Sequence, residues 1–110
     1  MVGIENNTET QTAVAESDLT NIMTLANTGE PAAQIKMGDF YASGQQFPHD
    51  ERVAFLWYQK AAEQLHAIAC IKLGHCYADG SGVARDKGMA NFWYMKAIEA
   101  MHSTIYLDHN

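Results

Sequence analysis

Five histidines, two cysteines and thirteen aspartates and glutamates are the residues with which this chain could do chemistry. A metal site needs such groups brought to one point, usually by an i, i+4 pair on a helix or a short Cys-x-x-Cys turn. No two of His49, His66, His75, His102 and His109 stand at that spacing, so no metal ion is expected. His75 beside Cys76 is the nearest approach to a reactive couple, but neighbours on a helix point in different directions and share a proton poorly. Gly80-Ser81-Gly82 is too short for a phosphate loop and lacks the lysine and hydroxyl residue that should follow. No catalytic residue and no cofactor follow from these patterns. The enzymatic alternative, a small hydrolase or ligand-binding enzyme centred on His75 and its neighbouring acids, would require a deep pocket around that histidine.

Charge narrows the partners. Seven Lys and Arg against thirteen Asp and Glu give a formal charge of -6, a field that repels phosphate backbones and anionic lipid. Neither nucleic acid nor membrane is therefore an expected partner, and no apolar run reaches the 18 or so residues of a membrane span. Cys70 and Cys76 are six residues apart, which on one helix separates them by roughly 9 Å along the axis and turns them apart. Unbonded thiols, with no basic start or apolar core at the N-terminus, predict a cytoplasmic protein.

The elements that would position these residues come from internal repetition. The segment IKMGDFYASGQQFPHDERVAFLWYQKAAEQLHA from Ile35 aligns without a gap on IKLGHCYADGSGVARDKGMANFWYMKAIEAMHS from Ile71, at an offset of 36. Identities include Gly38 with Gly74, Tyr41 with Tyr77, Gly44 with Gly80, Asp50 with Asp86, Trp57 with Trp93 and Tyr58 with Tyr94. Each unit holds two helical patterns. The first, Ala32 to Ala42 or Ile68 to Ala78, stops at a glycine. The second, from about Glu51 to Gln64 or Lys87 to Ala100, starts after an aspartate suited to cap orphan amides. Short connections make each unit an αα-hairpin.

The fold class is thus all-α, a short α-solenoid of antiparallel hairpins. Residues 1–16 are expected as a disordered acidic tail and 17–110 as the repeat domain: a cap helix over 17–28, repeat one over 31–66, repeat two over 67–102 and a half-helix cap over 103–110. The strict register of Trp57, Trp93, Tyr58 and Tyr94 assigns them to the core, because every unit solves the same packing problem with the same large residues.

These residues resemble the Sel-one-like repeat family, a branch of the tetratricopeptide superfamily. Ala69, LGHCY from Leu73, GSGV from Gly80, Asp86, FWY from Phe92 and KA from Lys96 carry the likeness in the second unit. MGDFY from Met37, Gly44, LWY from Leu56 and KAAEQ from Lys60 carry it in the first. The first loop, GQQFPHD, departs from the family's Gly-x-Gly-Val, and Leu65 and Met101 stand where a glycine usually closes the second helix. In secreted disulfide-bonded relatives the cysteine at the position of Cys70 pairs with one at the position of Ile98, so the oxidised periplasmic form is not expected here. The resemblance implies an adaptor that holds partners, as its members do in signalling, degradation complexes, host interaction and toxin neutralisation.

The expected function is therefore non-catalytic binding of one protein partner through the concave face of the first helices. A stoichiometric inhibitor or immunity-type protein is its sharper form, and a self-associating fragment of a longer scaffold a further alternative. By helical spacing that face carries Ile68, Ile71, His75 and Asp79 in the second unit and Ile35, Asp39 and Ser43 in the first. Isoleucines flanked by carboxylates suit a basic or amphipathic segment. Ile35 and Ile71 could instead pack within their own hairpins, and Phe47, beside Pro48, could either plug its hairpin or meet the partner. The pattern leaves the oligomeric state open.

Overall fold

In the computed structural model, residues 15–109 are described and form five helices: α1 (Glu16–Asn27), α2 (Pro31–Ser43), α3 (Glu51–Ala62), α4 (Ala67–Asp79) and α5 (Lys87–His109). Most of the expected 1–16 tail lies outside the described residues. Each helix packs chiefly on its neighbour in the chain, α1 on α2 through to α4 on α5. That is the one-dimensional stacking of a solenoid, in which contacts are local in sequence.

Local chemistry sets the helix ends where the repeat predicts them. Pro31 opens α2, with the Glu30 carboxylate accepting from the Ala32 amide. Asp50 caps α3 by accepting from the Arg52 and Val53 amides, and Asp86 accepts from Met89 at the same place in the second unit. Gly44 and Gly80 end the first helices in the left-handed region, at φ 77° and 75°.

One core cluster runs through both hairpins. It joins Ile35, Ala54, Phe55, Tyr58, Ala61 and Ala62 of the first to Ala69, Cys70, Leu73, Cys76 and Ala97 of the second, with Trp93 against it. A second cluster of Ala26, Ala33, Met37 and Phe40, with Trp57 against it, seats α1. Both tryptophans are half-buried against the core, whereas their register placed them within it. Alanines recur at the contact because they let helices approach closely. Gln34 of α2 is buried between α1 and the turn that follows α3: it donates to the Ala26 carbonyl and accepts from Gln64, whose amide also donates to the Gly29 carbonyl.

Two features depart from expectation. Between α3 and α4 the chain turns with Leu65 at φ 61°, the left-handed region that favours glycine, at a cost of roughly 1–2 kcal/mol. Burial of Ala69, Cys70 and Leu73 in the following helix offsets that cost. At the equivalent place in the second unit there is no turn. The expected half-helix over 103–110 is instead the continuation of α5, which runs unbroken to His109. Met101 does not favour a left-handed turn, and the described residues contain no further hairpin whose packing would repay one.

Candidate functional site

Three helices converge on Asp39. The Tyr58 hydroxyl of α3 donates to Asp39 Oδ1 at 2.6 Å, and Lys72 Nζ of α4 reaches the same oxygen at 3.0 Å while lying 5.6 Å over the Tyr58 ring. Tyr58 comes this close because Gly38 precedes Asp39: a Cβ there would overlap the ring. Burial, then the hydrogen bond to and charge of Asp39, hold the Tyr58 hydroxyl well above its usual range and keep it a donor. With 35% and 44% of the two side chains exposed, the Lys72–Asp39 pair adds little stability. What it does is fix the second repeat's first helix beside the first repeat's.

The same device recurs one repeat later with altered chemistry. Gly74 admits the Tyr94 ring, and the Tyr94 hydroxyl meets His75 Nδ1 at 2.7 Å. Positions 39 and 75 are thus held by the same tyrosine in each unit, and both present a polar group at the surface of a first helix. Beside them Tyr58, Lys72, His75, Cys76, Asp79 and Ser81 line a shallow hollow of about 170 Å³, large enough for one side chain of a partner. Cys76 is buried, and that burial pushes its thiol up to about 11. Cys70, buried and free, is raised for the same reason. Both therefore stay as unreactive thiols at neutral pH.

The expected contact residues divide. His75 and Asp79 are exposed together at the hollow, and Asp39 is half-buried at its edge through Lys72. Ile71 is half-buried against the core cluster. Ser43 is exposed and bound to its own turn, donating to the Phe40 carbonyl and accepting from Gln45. Ile68 is 53% exposed, at the edge of the array, away from the hollow. Ile35 is corrected: at 7% exposure it is a core residue, enclosed between the two repeats, whereas its copy Ile71 has no following repeat among the described residues. Phe47 follows the first of its two readings. It is half-buried, stacks on Tyr41 at 4.7 Å and meets Phe40 at 6.2 Å, so it plugs its hairpin.

Sequence reasoning missed Tyr58, Tyr94 and Lys72 as parts of this face. The tyrosines were assigned wholly to the core, although their hydroxyls need partners when their rings are buried. Lys72 is a repeat copy of Lys36 and carried no signal beyond that. Among the described residues, no group of three or more His, Cys, Asp or Glu is placed to hold a metal ion, and no helix is long and apolar enough to cross a membrane.

Comparison with known proteins agrees with this architecture. The sequence profile of the Sel1 repeat matches residues 31–64 and 67–100. Among solved structures, a Sel1 repeat protein from Oxalobacter formigenes is 38% identical with a TM-score of 0.69, the match covering 71% of this chain and 59% of that one. A protective antigen present in uropathogenic Escherichia coli strains, displaying an SLR fold, is 34% identical with a TM-score of 0.71, over 74% of this chain and 17% of that one. The chain thus spans less than two-thirds of the first protein and under a fifth of the second. No curated protein sequence matches it.

Proposed function

Because the chain belongs to the Sel1 repeat family, whose members are generally protein-interaction modules, we propose that it binds one protein partner through the face of its first helices. The observation that carries this is the Asp39–Lys72–His75–Asp79 surface, where repeat-equivalent tyrosines hold polar groups in place instead of leaving them to solvent. A surface whose side chains are fixed before binding loses less entropy when a partner arrives. Ile71 supplies apolar contact, and Asp39 and Asp79 favour a basic or amphipathic segment. These two hairpins offer room for about one interface of ordinary size, and a stoichiometric blocker or immunity-type protein is the sharper form of this reading. Buried, unbonded thiols favour a cytoplasmic encounter.

The test uses exposed positions that leave the core intact. Wild type and a Ser43→Lys, Asp79→Lys double variant are used as baits for affinity capture from the native lysate, and retained proteins are quantified. We expect one protein to be retained by wild type and to bind at least about tenfold more weakly to the variant, a loss of about 1.4 kcal/mol. Equal retention by both baits would place the interface elsewhere.

A further inference from the structure

The polar groups around the hollow of about 170 Å³ on the first-helix face can be accounted for one at a time. The Tyr58 hydroxyl donates to Asp39, and Lys72 Nζ is held on the same carboxylate at 3.0 Å. His75 Nδ1 is taken by the Tyr94 hydroxyl at 2.7 Å. The Asp79 carboxylate, Ser81 Oγ and His75 Nε2 are left, and among the described residues none of them has a hydrogen bond or ion pair. His75 and Asp79 stand four residues apart on one face of α4, and Ser81 follows them past the left-handed turn at Gly80.

Asp79 and Ser81 supply acceptors, and His75 Nε2 becomes one in the tautomer whose Nδ1–H donates to the Tyr94 hydroxyl oxygen. The field around them is negative. Cys76, in the same hollow, registers it: after burial itself, the charges of Asp79 and then Glu51 raise its thiol, and Lys72 opposes them more weakly. Lys72 does not neutralise the hollow, because its charge is spent on Asp39. An anion would be repelled there. An apolar side chain would strip water from the Asp79 carboxylate without replacing its hydrogen bonds. Among the described residues no three His, Cys, Asp or Glu are placed to hold a metal ion.

Resting on the reading of this face as a docking surface, we propose that the hollow receives a single arginine side chain of the partner, its guanidinium seated on the Asp79 carboxylate. The volume fits the head of one side chain and excludes a whole helix. A guanidinium carries five donors in a flat fork, which can serve both carboxylate oxygens and a hydroxyl together, whereas an ammonium is a point charge with three. Within the chain, a cation already pairs once with a first-helix carboxylate, at Lys72 and Asp39. Asp79 is then the residue that selects the partner's side chain, and its neighbours on the face supply the remaining contact.

The test is an amide NMR titration of the full chain with a blocked glycine–arginine–glycine tripeptide. It is repeated with lysine in place of arginine, and with citrulline, which keeps the shape of arginine without its charge. Saturable shifts are expected at His75, Asp79 and Ser81, with lysine bound more weakly and citrulline at least about fivefold more weakly than arginine. Asp79→Asn, a nearly isosteric change at an exposed position, should weaken the arginine peptide by at least about fivefold. Absence of binding, equal binding of citrulline, indifference to Asp79→Asn or shifts elsewhere on the surface would overturn the proposal. Lysine bound as tightly as arginine would overturn the assignment of a guanidinium. The wider reading fails separately. A lysate partner lost by Ser43→Lys, Asp79→Lys while the peptide ignores Asp79 would keep the docking face and remove the arginine. A partner retained by both baits, with the peptide bound at Asp79, would do the reverse.

Discussion

Leu73→Ala is expected to lower stability by about 2–5 kcal/mol, and the melting temperature by more than about 10 °C. Among the described residues Leu73 is the largest fully buried apolar side chain, with no exposed surface. It lies in the cluster that joins the two hairpins, among Ala69, Cys70 and Cys76 of its own helix and Ala54, Phe55 and Tyr58 of α3. Truncation leaves a cavity bounded by helices that cannot close on it independently, since each is also held by the next. Because contacts run only along the array, the loss should uncouple the hairpins as well as weaken the second. Thermal unfolding followed by circular dichroism measures it; a shift under about 3 °C would mean the cluster does not bind the repeats together.

Gly82→Ala is expected to cost about 2–4 kcal/mol, and more than Gly44→Ala. Both glycines have φ near 76°, at 76° and 77°, so the conformational penalty for alanine is shared. They differ in surroundings. At Gly44 an added Cβ meets His49 Cβ at 3.3 Å, a contact that small movement relieves. At Gly82 it would overlap the Glu51 carbonyl oxygen and stand 2.7 Å from that carbonyl carbon, and neither can move without disturbing the first turn of α3. The second loop thus rests directly on the first repeat. Chemical denaturation of the two variants isolates that contact as the difference between them, and equal losses would show that the loop bears no weight on α3.

How much of this was legible in the sequence depends on whether a feature repeats. Gly44 and Gly80, Asp50 and Asp86, and the paired tryptophans each appear twice at one offset, and the helices they delimit follow. Breaks in the repeat were harder to read. Phe47 replaces the compact Gly-x-Gly-Val loop with an aromatic that stacks on Tyr41, a tertiary choice that no spacing rule expresses. Leu65 forms a turn and Met101 does not, although both stand where a glycine is usual. The outcome depends on what packs next, which a local pattern cannot see. Ile35 and Ile71 show the same limit within the candidate site: identical residues in identical register, one enclosed by the following repeat and the other left half open. The face at Asp39 and His75 was legible as a helical stripe. Its rigidity was not, because it rests on hydroxyls reaching across from residues that read simply as core.

The central claim, that a partner docks on the first helices, is tested most directly by lysine footprinting of the complex. Lys72 sits within the proposed interface with 35% of its side chain exposed, whereas Lys60 and Lys87 are exposed on the second helices. Acylation of wild type is measured by mass spectrometry with and without the protein that it retains from lysate. The account predicts that labelling of Lys72 falls by about tenfold or more on binding, with Lys60 and Lys87 unchanged. Protection of Lys60 or Lys87 with Lys72 as reactive as before would place the partner on the opposite side of the array and contradict it.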